Sequence, residues 1–249
     1  MRKVILGKSG LLISRLCIGT DYSEIYGRSL IGRDILVKGF EMGVNFWDSS
    51  ESYGSYPSIR GAVREIGRDK VVITSKSYSR NVEGARKDLE DALREIGTSY
   101  LDIFMLHAVD TLDDFKSRRN VLDFLLEMKR NEVIKAVGAS THSPVLAMEL
   151  AKCPEIDVVL TVLNIEGLNI HGGDLESMHK AIKMLYDSGK GVYLMKVLGR
   201  GKLAGRAKEA LSYAFRIPYV HAVSVGIRSI SELEEAVRVE EETEPLFNP

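Results

Sequence analysis

The chain has 249 residues and a formal charge of −1, since 34 Lys and Arg residues stand against 35 Asp and Glu residues. This length suits one α/β barrel, and no low-complexity linker divides the sequence, so we expect a single domain over residues 1–249. A hydrophobic content of 45% excludes a disordered chain, and the near-zero charge argues against a dedicated nucleic-acid binder.

The cellular compartment is predicted from the N-terminal segment and the cysteines. The longest uninterrupted apolar runs are as short as Ile103–Leu106, so we expect no membrane span and no membrane partner. The first residues, Met1–Gly7, contain no apolar stretch long enough for a secretory signal. Cys17 and Cys153 do not have the spacing of a metal site. These features predict a cytoplasmic protein with reduced thiols.

The chain begins with a β-hairpin pattern over Lys3–Ile13, which has a glycine-bearing turn at Gly7–Gly10. Short apolar runs follow, and several of them are continuously apolar, which is typical of parallel strands buried on both faces. We predict eight such strands, namely Leu16–Ile18, Val44–Trp47, Val71–Thr74, Leu101–Leu106, Ile134–Val137, Val158–Val162, Val192–Met195 and Ala222–Val225.

Amphipathic helix patterns lie between these strands. The clearest is Val82–Ile96, whose apolar residues recur at the spacing of one helix face. Ser143 before a proline fits an N-cap, and Ser231 with Glu234 fits a capping box that opens the last helix. The other predicted helices are Arg33–Glu41, Ser58–Ile66, Val121–Arg130, Val145–Ala151, Leu175–Asp187 and Ala207–Phe215.

The alternation of strands and helices determines the predicted fold class. Eight strand–helix units in 249 residues predict a (β/α)8 TIM barrel, an α/β fold, with a β-hairpin at its N-terminus. A doubly wound open sheet is the alternative. It is disfavoured because the turn that starts at Gly19 lacks the G-x-G-x-x-G fingerprint of dinucleotide-binding sheets.

Polar side chains follow the predicted strands, at the end where barrels carry their functional groups. Asp48, Lys76 and His107 follow three consecutive strands, and Tyr53 lies five residues after Asp48. Each alone has a common structural explanation, such as a helix cap, a packed ring or a satisfied core histidine. The set is more specific than its members, because adjacent parallel strands bring all four side chains to one mouth.

Such a set suits proton transfer by a phenol. Tyrosine has a pKa near 10 and is a weak acid at neutral pH. A neighbouring ammonium is expected to lower that pKa, and a carboxylate paired with the ammonium is expected to hold it in place. An imidazole can orient a carbonyl oxygen. None of these groups supplies a hydride, so carbonyl reduction would require a cofactor.

Several segments carry a resemblance to a known family. Residues 45–54 read Asn-Phe-Trp-Asp-Ser-Ser-Glu-Ser-Tyr-Gly, which is similar to the Asp-Thr-Ala-x-x-Tyr-Gly signature of the aldo-keto reductases. Residues 73–76 and 101–107, which end in Lys76 and His107, match the segments that follow. Residues 137–142, 195–203 and 226–235 resemble the family's cofactor-binding segments, so the resemblance extends from Gly10 to Val237.

The resemblance implies an NAD(P)-dependent oxidoreductase that reduces an aldehyde or ketone to an alcohol. It implies that Tyr53 is the general acid, that Lys76 tunes Tyr53 and pairs with Asp48, and that His107 orients the carbonyl. The cofactor-binding residues that it implies are Gly19, Thr20, Ser140, Asn164, Lys196, Leu198, Gly199, Gly201, Leu203, Arg228, Ser229 and Glu235.

The nucleotide preference depends on two residues near the last helix. Arg228 and the habit of the family favour NADP(H), since a guanidinium can clamp a 2′-phosphate. Glu232 opposes it, because many NADP-dependent members have a basic residue there. We predict NADP(H), with NAD(H) as the alternative. Thr141 and Ala236 stand where the family often has asparagines, and the few residues after the last helix predict an open substrate side.

Other functions compete with carbonyl reduction. A glycoside hydrolase would need two opposed carboxylates, whereas the fourth and seventh strands end at His107 and Lys196. An aldolase could use Lys76 or Lys196 as its Schiff-base nucleophile. No metal site is predicted, because the five histidines show no H-x-H or H-E-x-x-H spacing. A nucleotide-binding redox sensor with little turnover is the alternative from another class. The expected partner is a small carbonyl substrate, and the sequence indicates no oligomeric state.

Overall fold

The hairpin predicted at the start of the chain is present and covers one end of a barrel. The computed structural model describes residues 1–21 and 32–244. Strands β1 (Lys3–Ile5) and β2 (Leu12–Ser14) pair antiparallel. Leu6, in the turn between them, is fully buried among the residues that fill the barrel. The backbone N–H of Lys8 donates to the carbonyl of Gly189 at 2.9 Å, so the hairpin lies against the amino-terminal end of the barrel.

Eight parallel strands close the barrel, as predicted. Each pairs with the next along the chain, and the last pairs with the first. The strands are β3 (Leu16–Gly19), β4 (Phe46–Asp48), β5 (Val72–Ser77), β6 (Leu101–Leu106), β7 (Ile134–Thr141), β8 (Val158–Val162), β9 (Gly191–Met195) and β10 (Ala222–Gly226). The predicted bounds of β6 and β8 are confirmed, whereas β5 and β7 run three and four residues beyond the apolar runs that predicted them.

Helices surround the barrel between consecutive strands. They are α1 (Arg33–Glu41), α2 (Tyr56–Ile66), α3 (Val82–Ile96), α4 (Leu112–Ser117), α5 (Arg119–Arg130), α6 (Pro144–Ala151), α7 (Leu175–Asp187), α8 (Ala207–Arg216) and α9 (Ile230–Glu242). The sequence did not predict α4, which has six residues and is too short to show an apolar face. None of the described helices is long and apolar enough to cross a membrane.

The caps of two helices test the sequence signals for helix starts. Ser143 caps α6 as predicted, since its side chain accepts a bond from the N–H of Leu146. The capping box predicted at Ser231 is wrong by two residues. Ser229 caps α9 instead, and accepts from the N–H of Glu232. Two serines lie close together here, and Ser229 has the extended backbone of a cap residue.

The barrel interior is packed and leads directly to the site. The rings of Phe46 and Tyr193 lie 5.0 Å apart inside it, beside Met105 and Leu160. A second, larger apolar cluster lies between the strands and the helices. The Tyr193 hydroxyl donates to Oδ1 of Asp48 at 2.7 Å, so the top layer of the core is hydrogen-bonded to the first polar residue at the carboxyl end.

Candidate active site

The four predicted catalytic side chains meet at the carboxyl end of the barrel. Asp48 is the last residue of β4, Lys76 lies near the end of β5, and His107 follows β6 directly. Tyr53 lies in the loop between β4 and α2. Since β4, β5 and β6 are consecutive neighbours in the barrel, these residues converge because of the parallel order of the strands.

A buried ion pair forms the floor of this site. Lys76 has no exposed surface and Asp48 is 4% exposed. The Lys76 ammonium donates to Oδ2 of Asp48 at 2.8 Å and to the carbonyl oxygen of Ser49 at 2.7 Å. Tyr193 donates to the other carboxylate oxygen of Asp48. Because a buried charge without partners is strongly unfavourable, these bonds fix the ammonium at one position.

Tyr53 lies above this pair. The Lys76 nitrogen is 4.8 Å from the centre of the Tyr53 ring. The sequence predicts that this ammonium lowers the pKa of the phenol, but the pKa of Tyr53 is well above its usual value of 10, because of burial first and the Asp48 carboxylate second. The positive charge of Lys76 is largely balanced by Asp48. The phenol therefore stays protonated at neutral pH and is a proton donor in the resting site.

His107 is held from two sides. Its ring stacks on the ring of Tyr78, with centroids 3.8 Å apart. Its Nδ1 lies 3.0 Å from the hydroxyl of Ser50 and 3.8 Å from the carboxylate of Glu51. Burial lowers the pKa of His107 below 6.5, so the imidazole is neutral at pH 7. Because the Ser50 hydroxyl donates its single proton to the Glu51 carboxylate, Nδ1 of neutral His107 carries the ring proton and donates to the Ser50 oxygen, and Nε2 is the acceptor nitrogen.

A groove of about 320 Å³ opens beside Tyr53 and Asp48. It runs over the carboxyl ends of β9, β10 and β3 and along the start of α9. Half of the predicted cofactor-binding residues line it, namely Gly19, Lys196, Leu198, Gly201, Arg228 and Glu235. Asp21, Arg200 and Glu232 also line it, so the groove edge carries both cations and carboxylates.

The other predicted cofactor-binding residues shape the surroundings of the groove. Thr20 donates to the carbonyl of Asp48 at 3.0 Å. The Ser140 hydroxyl accepts from the N–H of Ala108 at 2.7 Å. The Asn164 amide donates to the carbonyls of Leu168 and Lys196 and accepts from the N–H of Leu168. Ser229 caps α9. These bonds show local structural roles for all four residues.

Gly199 and Leu203 belong to a tight turn under the groove. The N–H groups of Gly199 and Leu203 donate to the carbonyls of Lys196 and Leu198. Gly199 has a φ of +56°, and a Cβ there would meet a methyl group of Leu168 at 2.7 Å. Lys196, Gly199, Arg200 and Gly201 all have positive φ, so the backbone turns sharply beneath the groove.

An ion pair that was not predicted from the sequence closes one edge of the groove. The Arg228 side chain donates to Oε1 of Glu232 from Nε at 3.1 Å and from Nη2 at 2.6 Å. The backbone N–H of Arg228 donates to the other carboxylate oxygen at 2.8 Å. The spacing of four residues at a helix start permits this pair. The sequence-based prediction has Arg228 binding a 2′-phosphate and Glu232 opposing that phosphate.

Two further features of the barrel mouth were not predicted from the sequence. Tyr193 lies within an apolar strand, and its only signal is a polar hydroxyl in that run. Asp110, His142 and His171 lie together, although the two histidines are separated by 28 residues in the chain. Spacing rules for metal sites look for ligands on one helix or turn, so this cluster had no local signature.

Known proteins resemble this chain in sequence and in fold. Residues 32–210 match the model of the aldo/keto reductase family. The NADH-specific methylglyoxal reductase of Escherichia coli is 23% identical over 82% of this chain and 70% of its own length. Probable aldo-keto reductase 1 of Glycine max is 24% identical over 83% of this chain, which spans 62% of that protein.

A solved structure gives the same fold. An aldo-keto reductase of Bacillus halodurans superposes with a TM-score of 0.78 at 21% identity, over 99% of this chain and 92% of that one. At this identity the likeness establishes the (β/α)8 fold. The family model covers most of the chain and contains Asp48, Tyr53, Lys76 and His107. The chain therefore belongs to the aldo/keto reductase family of oxidoreductases.

Proposed function

We propose that this protein reduces a small aldehyde or ketone to an alcohol with a nicotinamide cofactor, and that Tyr53 donates the proton. The observation that carries this proposal is the convergence of four side chains: a protonated phenol lies over the Lys76–Asp48 pair, and its ring is 6.0 Å from the neutral His107 ring. This is a proton donor with a fixed cation below it and an imidazole beside it.

The groove has the donor set that a dinucleotide requires. The side chains of Lys196 and Arg200 line one wall of the groove, and their positive charges suit a pyrophosphate. Carboxylates at Asp21 and Glu232 suit ribose hydroxyls. A bound dihydronicotinamide would supply the hydride that these side chains lack.

The residues of this chain then have distinct tasks in the proposed reaction. The His107 ring, held by Ser50 and Tyr78, borders the carbonyl group and orients it. The Tyr53 hydroxyl gives its proton to that oxygen as negative charge develops on it. The Lys76 ammonium, held by Asp48 and Ser49, stabilises the phenolate that remains. Burial raises the pKa of Tyr53 and so disfavours the phenolate. The positive charge of Lys76 offsets this cost when the proton leaves the phenol.

We further propose that NAD(H) is the preferred cofactor. The prediction of NADP(H) assumed that Arg228 reaches a 2′-phosphate, whereas its guanidinium donates to Glu232. A 2′-phosphate at this edge would meet a carboxylate and would have to displace that bond. A ribose 2′-hydroxyl can donate to the same carboxylate. One relative's name, NADH-specific methylglyoxal reductase, is consistent with this preference.

The decisive experiment replaces Tyr53 with Phe, which removes the hydroxyl and keeps the ring. We expect the rate of aldehyde reduction to fall by about 10²- to 10⁴-fold, with nucleotide affinity nearly unchanged. The assay follows oxidation of NADH and NADPH with methylglyoxal and glyceraldehyde 3-phosphate as test substrates. Tyr186→Phe, a surface tyrosine of α7, is the matched control.

Two outcomes would contradict the proposal. If Tyr53→Phe keeps the wild-type rate within a few-fold, Tyr53 is not the proton donor. If the wild-type protein binds nucleotide tightly but reduces no carbonyl compound, the redox-sensor alternative is supported instead.

A further inference from the structure

Two histidines and a carboxylate meet at the barrel mouth, outside the groove. Asp110 follows β6, His142 follows β7 directly, and His171 precedes α7. The Asp110 carboxylate lies 3.2 Å from Nδ1 of His142 and 2.9 Å from Nδ1 of His171. The two imidazole rings stack with centroids 4.8 Å apart. Three potential ligand atoms thus lie within 4.8 Å of one another.

These distances are close to those of ligands around one metal ion. Bonds of about 2.0–2.1 Å in a tetrahedral site place neighbouring ligand atoms about 3.3–3.4 Å apart. The carboxylate–imidazole distances of 3.2 and 2.9 Å therefore need only small expansion, whereas the two imidazole nitrogens, which lie within 4.8 Å, must move closer together. Two imidazole nitrogens and one carboxylate oxygen suit Zn²⁺, Co²⁺ or Ni²⁺ better than Mg²⁺ or Ca²⁺, which prefer oxygen ligands.

The ligands are held in place by contacts with the surrounding backbone. The carboxylate of Asp110 accepts from the N–H of His142 at 2.6 Å and from the Thr141 hydroxyl at 3.3 Å. The N–H of His171 donates to the carbonyl of His142 at 2.9 Å. His142 is buried, whereas the side chain of His171 is 56% exposed. A metal ion here would have a coordination position open to water.

We propose that Asp110, His142 and His171 bind one divalent transition-metal ion of the Zn²⁺ type. The site does not depend on the proposed reductase function, since none of its three ligands belongs to the proposed catalytic set. It also differs from the groove in chemistry, because it offers metal ligands rather than donors to phosphate.

Lys196 connects this site to the groove. Its ammonium lies 2.8 Å from Nε2 of His142. Since an ammonium can only donate, Nε2 of His142 accepts this bond. The positive charge of Lys196 thus lies beside a proposed ligand, and it opposes the binding of a cation there.

The test uses the untagged 249-residue chain with Cys153→Ser in every sample, so that this thiol does not bind the probe metal. Co²⁺ is titrated and followed by its visible absorption, and Zn²⁺ by calorimetry. We expect one ion per chain. His171→Asn should weaken binding by at least about tenfold. Lys196→Met should tighten it by about threefold or more, because a nearby positive charge is removed. His179→Gln, which removes an imidazole from α7, is the matched control.

Weak binding of several ions, or equal binding by the Cys153→Ser protein with and without His171→Asn, would overturn the proposal and leave a hydrogen-bonded network without metal. Asp110→Asn, which removes another proposed ligand, is titrated in the same way. Carbonyl reduction is measured separately in the presence of a chelator, so a failed metal titration does not count against the proposed reductase function.

Discussion

At the groove edge, the pair of Arg228 and Glu232 determines which phosphate or hydroxyl can approach. The two side chains are 43% and 33% exposed, so their bond contributes only about 0–1 kcal/mol. A charge-assisted bond to a phosphate is worth about 1.5–3 kcal/mol, which would be enough to draw Arg228 away. The adjacent carboxylate then repels the same phosphate. The balance between these two effects decides the nucleotide preference.

Replacing Glu232 with Gln tests this balance at the scale of one residue. The change removes the negative charge and releases Arg228 from a charged partner. We expect the ratio of NADPH to NADH affinity to rise by about tenfold, which corresponds to about 1.4 kcal/mol. Dissociation constants of both nucleotides are measured for the wild type, Glu232→Gln and Arg228→Ala at two salt concentrations. A ratio within twofold of the wild type in Glu232→Gln would show that this pair does not set the preference.

Among the secondary-structure elements, α9 depends on a cap that lies beside the groove. Ser229 accepts from the N–H of Glu232 at 3.2 Å, and this bond orients the first turn of the helix, which carries Glu232. The Ser229 and Ser231 hydroxyls lie 3.0 Å apart. Only Ser229 has the cap geometry, so the two serines are not equivalent.

Two alanine variants distinguish the contributions of Ser229 and Ser231 to the free energy of unfolding. Ser229→Ala should lower the free energy of unfolding by about 1 kcal/mol, the usual cost of losing an N-cap. Ser231→Ala should change it by less than about 0.5 kcal/mol, as is usual for an exposed position. Urea denaturation of both variants and the wild type measures this difference. If Ser231→Ala were the more destabilising, the capping box predicted from the sequence would be the correct one.

For the whole molecule, closure of the barrel joins residues from distant parts of the chain. His221 precedes β10, and its Nδ1 accepts from the N–H of Val192 in β9 at 3.1 Å. The backbone N–H of His221 donates to the carbonyl of Val192 at 2.9 Å. Burial lowers the pKa of His221 to about 4. The fold therefore requires the neutral form of this imidazole at the seam between two strands.

This requirement predicts a pH dependence of stability. The unfolded chain binds a proton at His221 near pH 6.5, whereas the folded chain does so only near pH 4. The contribution of neutral His221 to the free energy of unfolding is present above pH 6.5 and is lost as the pH falls. The loss between pH 7 and pH 5 is about 2 kcal/mol. Urea titrations of the wild type and His221→Gln at pH 7, 6 and 5 measure it. Parallel losses in both proteins would assign the effect to other groups.

The local elements and the order of the site residues could be predicted from the sequence. Apolar runs predicted all eight barrel strands because parallel strands are buried on both faces, and the amphipathic period predicted α3 at its observed bounds. Asp48, Lys76 and His107 were found because strand order alone brings the ends of β4, β5 and β6 together. Tyr53 followed from its fixed distance to Asp48 in the chain.

Which side chains touch across the barrel depends on the assembled fold. Tyr193 meets Asp48 across 145 residues of sequence, and His171 meets Asp110 across 61. The assembled fold also determines that burial, rather than Lys76, dominates the pKa of Tyr53, and that Arg228 faces Glu232. Periodicity and spacing in the sequence encode contacts within one element. Burial, charge balance and side-chain direction arise only when the strands are assembled.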